Sequence, residues 1–105
     1  MSQLNQFDTV ALSFNSSGDN TIIAAPSAGP IKIWKLAFTT ASAVNVTFKA
    51  GSTALSGAFV FGGNGSFVLY YDGSPHYICP PGSAFVINLS SGVAIGGTVW
   101  YTIGG

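Results

Sequence analysis

Apolar and polar residues alternate along this chain in short runs, and turn residues interrupt the runs about every 8–12 positions. Val44, Val46 and Phe48 alternate with polar neighbours, which is typical of a strand with one buried face. No run keeps the period of an amphipathic helix. The pattern predicts an all-β fold: an antiparallel β-sandwich of about eight short strands, with the jelly roll as the leading topology.

Two local features refine this prediction. The apolar phase of one long strand shifts between Ile33 and Trp34, which predicts a β-bulge or burial of both faces. The segment Gly62–Gly65 contains Asn-Gly, a pair that adopts positive φ easily. It therefore predicts a hairpin that pairs the strands on either side of it.

Other turn signals set the limits of the strands. Asn15–Asn20 is a cluster of turn residues, and Gly96–Gly97 predicts a break before a last strand over Thr98–Ile103. The length of 105 residues fits one domain, so we expect a single β-sandwich over residues 1–105. Residues 1–8 are polar and precede the first clear strand, and they form either a mobile arm or a frayed terminus.

Charged residues make up only 6% of the chain, as three lysines and three aspartates with no Arg or Glu. Nucleic-acid binding needs a basic patch, so we expect no nucleic-acid partner. A monomer of this mass exposes roughly 5,500 Å², which leaves about one charge per 900 Å². Such a surface is poorly soluble, and it predicts that partner subunits cover much of it. The alternative is a monomer that is wetted by its Ser, Thr and Asn side chains.

The sequence also bears on location. The segment MSQLNQFDTV has neither the basic nor the apolar region of a secretory signal. Apolar runs such as Ala58–Phe61 are far shorter than the roughly 18 residues that a membrane span needs. We expect a protein that is made in a cytoplasm, has no membrane partner and stays soluble by assembling.

Few residues are suited to catalysis or metal binding. Asp72, Ser74 and His76 are the residue types of a nucleophilic triad, but they share one short loop without an elbow motif around the serine. His76 and Cys79 are too few for a structural zinc site. We therefore expect no enzyme activity, no cofactor and no metal, and we interpret Cys79 as a small buried hydrophobic residue.

Aromatic side chains with a polar end are the main candidates for a contact site. In Tyr70-Tyr71 and Trp100-Tyr101, at least one ring of each pair should face away from the core, because neighbours on a strand face opposite ways. Outward Trp and Tyr suit a subunit interface or a sugar platform, and the alternative is that both faces are core. The candidate interface residues are Trp34, Tyr70, Tyr71, Tyr77, Trp100 and Tyr101.

Several stretches of the chain resemble a group of small β-rich proteins that tailed bacteriophages encode, usually near their head genes. They are Asn20–Ala25, Ile31–Leu36, Val44–Lys49, Gly51–Ala58, Gly63–Leu69 and Ile87–Thr98. The resemblance covers roughly residues 20–103, and the pattern is similar to that of trimeric capsid decoration, or cement, proteins. No catalytic motif accompanies the resemblance.

The resemblance implies a non-enzymatic virion structural protein that is synthesised in the host cytoplasm and located on the capsid surface. It implies a homotrimer at three-fold or quasi-three-fold sites that binds the major capsid protein and stabilises the assembled head. The candidate capsid-contacting arm is Met1, Ser2, Gln3, Leu4, Asn5, Gln6 and Phe7. The alternative hypothesis is a receptor- or carbohydrate-binding module of a phage fibre or tail that uses the same sandwich and its exposed aromatic rings.

Overall fold

A computed structural model describes residues 7–104, and the alternating runs of this range form ten β-strands. The strands are β1 (Asp8–Phe14), β2 (Gly18–Ile23), β3 (Ile31–Thr40), β4 (Val44–Ala50), β5 (Thr53–Ala54), β6 (Phe59–Phe61), β7 (Ser66–Leu69), β8 (Tyr77–Cys79), β9 (Phe85–Leu89) and β10 (Ile95–Ile103). Between residues 7 and 104 there is no helix of the length and apolarity needed to cross a membrane.

The strands form two antiparallel sheets that pack face to face. Sheet A has the order β1-β10-β3-β7, and β8 also pairs with β3. Sheet B has the order β2-β9-β4-β5, and β6 also pairs with β4. β1 and β2 meet at one side of the sandwich, so the connection between them passes from one sheet to the other.

This architecture confirms the predicted all-β antiparallel sandwich, whereas the jelly-roll topology stays a prediction. The described residues form ten strands rather than about eight because two edge positions are each shared by two short strands. In sheet A, β7 pairs with one end of β3 and β8 with the other end. In sheet B, β6 and β5 divide β4 in the same way.

The phase shift in β3 is a β-bulge, which is the first of the two alternatives that the sequence offers. Lys35 is paired with Trp100 of β10 and Ile33 with Tyr101, so Trp34 is an extra residue without an opposite partner. The bulge reverses the alternation of β3 at this point. Ile33 and Leu36 are therefore both fully buried, although residues three positions apart would face opposite sides in a regular strand.

The turn Gly62–Gly65 joins the two sheets, and the predicted hairpin is therefore wrong. β6 pairs with β4 in sheet B, while β7 pairs with β3 in sheet A. Thr40 ties the turn to the end of β3: its N–H donates to the Gly65 carbonyl over 2.9 Å, and its hydroxyl accepts from the Gly65 N–H over 3.0 Å. Asn64 has a φ of 56°, which confirms a turn here without a hairpin.

β2 begins at Gly18, inside the predicted turn cluster Asn15–Asn20. Cross-strand pairing overrides the turn propensity, because Gly18 pairs with Leu89 of β9 and the next residues continue the ladder. Asp19 gains a further partner there, since the Asn88 side chain donates a hydrogen bond of 2.7 Å to its carboxylate.

β10 begins at Ile95 and continues through the two glycines that predict a break. Gly97 lies opposite Phe38 of β3, and the two backbones are in close contact at this position. A Cβ on Gly97 would overlap the Ala37 carbonyl oxygen and lie 2.6 Å from the Phe38 Cα atom. Here glycine permits the close approach of two strands rather than interrupting one of them.

The core lies between the two sheets and is rich in phenylalanine. Phe48 of sheet B is fully buried, and its ring centroid lies 6.1 Å from that of Phe38 and 5.8 Å from that of Phe67, both in sheet A. Other buried residues of the core include Leu12, Ile31, Ile33, Leu36, Val46, Phe85, Ile87, Leu89 and Val99.

We expect Gly97→Ala to lower the free energy of unfolding by about 3 kcal/mol, because the new methyl group forces backbone atoms of β3 and β10 apart. Gly96→Ala is the matched control, since a Cβ there would meet only the Leu12 carbonyl oxygen at 4.0 Å. Its effect should stay within about 1 kcal/mol. Urea unfolding at one protein concentration measures both, and equal midpoints for the two variants would contradict the close approach.

Candidate functional site

The side of sheet A that points away from the core carries an apolar surface, which we call the outer face of sheet A. Val68 and Ile78 lie on it with 43% and 48% of their surface exposed. They pair with Ala37 and Lys32 of β3, which alternate with the buried residues of that strand. The outer face is defined here by Lys32, Trp34, Lys35, Val68, Ile78 and Trp100.

The bulge in β3 brings Trp34 into an aromatic cluster on this face. The Trp34 ring stacks on Phe7, with ring centroids 5.7 Å apart, and Tyr71 lies 6.0 Å from it. Phe7 and Tyr71 are 5.5 Å apart, so each ring contacts the other two. The indole N–H of Trp34 donates a hydrogen bond of 2.8 Å to the Thr102 hydroxyl, which fixes the orientation of the ring.

Trp100 is the second indole of the outer face, and a lysine covers it. The Lys35 ammonium nitrogen lies 4.6 Å from the centre of the Trp100 ring, within the range of a cation–π interaction. The bulge leaves Lys35 directly opposite Trp100 in the ladder. The two tryptophans of this face therefore already have partners within the chain, and their remaining surface is what a second molecule would contact.

The structure separates the six candidate aromatic residues into two groups. Tyr77 and Tyr101 pack against the core, and the Tyr77 ring lies 5.3 Å from that of Phe48. Burial raises the pKa of Tyr77, and a hydrogen bond with Ser56 opposes part of that shift. The remaining four lie toward the surface, and the most exposed is Tyr70, at 72%. In Trp100-Tyr101 the two rings face opposite ways, as expected for strand neighbours.

The candidate arm is only partly within the described residues. Its residues 1–6 lie outside them. Phe7 lies within them, and its ring belongs to the aromatic cluster with Trp34 and Tyr71. Sequence reasoning assigned Phe7 to the arm and did not find the cluster. The one sequence signal for this cluster is that Phe7 is the single aromatic residue among residues 1–8.

The outward side of sheet B differs from that of sheet A because its charged and polar groups bind one another. The Lys49 ammonium lies 3.0 Å from the Asp19 carboxylate, and Asn88 donates to the same carboxylate. The hydrogen bond from Asn88 and then that from Lys49 hold the pKa of Asp19 below its usual value. Apart from the exposed Val60, this side therefore presents paired polar groups to solvent, and the outer face of sheet A is the better candidate for a contact surface.

The loop that holds the triad residue types is built by backbone hydrogen bonds. The Asp72 carboxylate accepts from the backbone N–H of Ser74 over 3.1 Å. A ring nitrogen of His76 contacts the Tyr70 carbonyl oxygen at 2.6 Å, and the His76 backbone N–H donates to the Ile33 carbonyl. Both side chains thus fix the path of the chain between β7 and β8. Among residues 7–104 no group of three or more His, Cys, Asp or Glu side chains is placed to hold a metal ion.

Cys79 is a buried core residue of β8, as its interpretation as a small hydrophobic residue requires. It pairs with Ile31 in the ladder between β8 and β3. Burial raises the pKa of its thiol to about 11, so the thiol stays protonated near neutral pH. A protonated, inaccessible thiol is a poor nucleophile and a poor metal ligand.

A shallow groove of about 460 Å³ lies at the end of sheet A where β3, β7 and β10 meet. Its walls include Thr40, Asn64, Ser66 and Gly96. Its lining contains no ionisable side chain, and Thr40 already bonds Gly65 there. The groove therefore brings together no acid or base that could activate the hydroxyl groups in its walls.

The raised pKa of Cys79 predicts a loss of stability in alkaline solution. The folded state holds the thiol proton more tightly than the unfolded state, so the stabilisation is complete below about pH 9 and is lost as the pH rises towards 11. We expect the free energy of unfolding to fall by about 2–3 kcal/mol more in the wild type than in Cys79→Ala over this interval. Urea unfolding at pH 8 to 11 measures the difference, and parallel curves would contradict it.

No family model matches the chain, and neither a curated protein nor a solved structure matches it. The resemblance to phage head proteins therefore stays a prediction. What the protein can bind has to be inferred from its own surfaces, and the outer face of sheet A is the foremost of these.

Proposed function

We propose that this protein is a non-enzymatic structural component of a virion: a decoration protein that binds the assembled phage head as a homotrimer at three-fold or quasi-three-fold sites. Its partners in this proposal are further copies of itself and the major capsid protein, and its place is the capsid surface. The observation that carries the proposal is the contrast between the two outward sides of the sandwich.

That contrast supports a binding role for sheet A. Exposed apolar residues such as Val68 and Ile78 stand beside Trp100 and the aromatic cluster on one continuous face. Aromatic and aliphatic side chains are typical of the centre of a protein interface, and the two lysines of this face, Lys32 and Lys35, stand opposite Ile78 and Trp100. The polar groups of sheet B are paired with one another, as the Lys49–Asp19 contact illustrates, and are better suited to solvent.

The chemistry of the described residues supports a structural rather than a catalytic role. Asp72 and His76 bond to the backbone of their own loop, and Cys79 is buried and protonated. A decoration protein needs none of these groups as reactants. It stabilises a shell by mass action, because a protein that binds only the closed shell opposes its opening by about 2.7 kcal/mol per site at a free concentration of 100 times Kd.

We expect the purified protein to co-sediment with expanded heads assembled from the major capsid protein of the same genome, and to raise their melting temperature. Ile78→Lys should weaken this binding at least about tenfold, because it places an unpaired charge in the contact surface. Val60→Lys is the matched control: like Ile78, Val60 is an exposed aliphatic residue of a short edge strand, at 77%, but it pairs with Asn45 in sheet B.

Three results would contradict the proposal. One is the absence of binding to expanded heads at micromolar protein. Another is equal weakening by Ile78→Lys and Val60→Lys, which would remove the distinction between the two sheets. The third is a mass that is not that of three chains or a multiple of three, measured in solution at the protein concentration used for binding.

A second candidate function, a carbohydrate-binding module of a phage fibre or tail, is favoured by Tyr70. Its ring is 72% exposed at the end of β7, and an exposed aromatic ring can stack on a sugar. The two indoles support this candidate less well, because Phe7 stacks on Trp34 and Lys35 lies over Trp100. A glycan array is the test: binding that Tyr70→Ala abolishes would favour this function over decoration.

A further inference from the structure

Strand β1 has an open edge. It pairs with β10 on one side, from Asp8 opposite Tyr101 to Phe14 opposite Ile95. On its other side, no strand from residues 7–104 pairs with it. Alternate residues of β1 therefore direct backbone N–H and C=O groups toward solvent, and such a row is a template for another strand.

Within residues 7–104, the other three edges of the sandwich are protected, and β1 is not. β2 has a bulge at Ile22 and carries Asp19. The edge of sheet B that is opposite β2 consists of β5 and β6, of only two and three residues. The edge formed by β7 and β8 is interrupted by a loop containing Pro75, and Pro80 follows it. Bulges, charges, prolines and short strands are the devices that prevent edges from pairing.

β1 has none of these devices beyond its first residue. It runs for seven residues in regular register with β10, and it contains no proline, glycine or lysine. Asp8 is its one charged residue, and it stands at the end of the strand. Thr9, Ala11 and Ser13 are exposed, so no bulky side chain shields the backbone between them.

We propose that β1 pairs antiparallel with β1 of a second copy of this chain, across a two-fold axis at Ala11. The occupant follows from the self-complementarity of the strand. In this register Val10 faces Leu12 of the second copy on the core side, and Thr9 faces Ser13 of the second copy on the outward side. Both pairs match apolar with apolar and hydroxyl with hydroxyl.

Charge is compatible with this register. The two Asp8 residues stand at opposite ends of the paired strands, roughly 20 Å apart at the spacing of an antiparallel strand. At that distance their repulsion is screened in physiological salt. The contact joins the two copies of sheet A into one continuous sheet. It is two-fold, so it is separate from the three-fold association of the decoration proposal, and it goes beyond that proposal.

The first test is the mass of the purified protein by light scattering over a hundredfold dilution. We expect two chains, or six where the three-fold association of the decoration proposal also forms. Ala11→Lys places two like charges opposite each other at the axis, and we expect it to weaken the association at least about tenfold. Thr21→Lys is the matched control. Thr21 is an exposed residue of β2, the edge strand of sheet B that lies on the same side of the sandwich as β1, and this substitution should leave the mass unchanged.

A second measurement keeps the proposal testable if Ala11→Lys fails to fold. In Ala11→Cys the two introduced thiols face each other across the axis, whereas the native Cys79 is buried. Mild oxidation should therefore give a covalent dimer of Ala11→Cys and not of Thr21→Cys, as seen on a denaturing gel without reductant.

The opposite results overturn the proposal. They are a mass of one chain at every concentration, a mass that Ala11→Lys and Thr21→Lys alter equally, or equal dimer yields from the two cysteine variants. A mass of three chains that Ala11→Lys does not change would also overturn it, and would leave the binding of heads to be decided by its own experiment.

Discussion

The ring of Phe48 holds the two sheets together. It projects from β4 of sheet B and contacts residues from three strands of sheet A: Phe38, Phe67 and Tyr77. β7 and β8 have short ladders of their own, so their position depends on these inward rings more than on backbone pairing. The segment between them carries Tyr71, and the aromatic cluster on the opposite side of sheet A therefore depends indirectly on the packing of Phe48.

The partners of the few charged residues distinguish the two outward sides. On sheet B, the Lys49 ammonium and the Asn88 amide both bind the Asp19 carboxylate, and these partners keep that side polar. On sheet A, the Lys35 ammonium lies over the Trp100 indole, and Lys32 stands opposite the exposed Ile78. The two sides therefore differ in how their charges are partnered rather than in how many charges they carry.

The sequence predicts this fold well where the signal is local. Alternation reveals which residues of β4 face the core, and the phase shift at Trp34 reveals the bulge, because each depends on consecutive side chains only. The signal fails where a distant strand decides. Gly62–Gly65 is a turn, but its sequence does not state that β6 and β7 belong to different sheets. The same applies to Gly97, whose role depends on β3 lying against it.

The candidate site follows the same division. Adjacent aromatic residues indicate that one ring of Trp100-Tyr101 faces outward, and the shift in apolar phase predicts an irregularity at Trp34. Which of the six rings reach the surface could not be predicted, because Tyr77 is inward only through the pairing of β8 with β3. The contact of Phe7 with Trp34 and Tyr71 joins three distant parts of the chain, and no local pattern encodes it.

The bulge in β3 also changes how many side chains this strand directs away from the core. Because Trp34 is an extra residue in the ladder, Ile33 and Leu36 on either side of it are both buried. Trp34 and its neighbour Lys35 are then two consecutive side chains outside the core, where a regular strand would direct one of them inward. One inserted residue thus enlarges the aromatic surface of sheet A without removing a residue from the core.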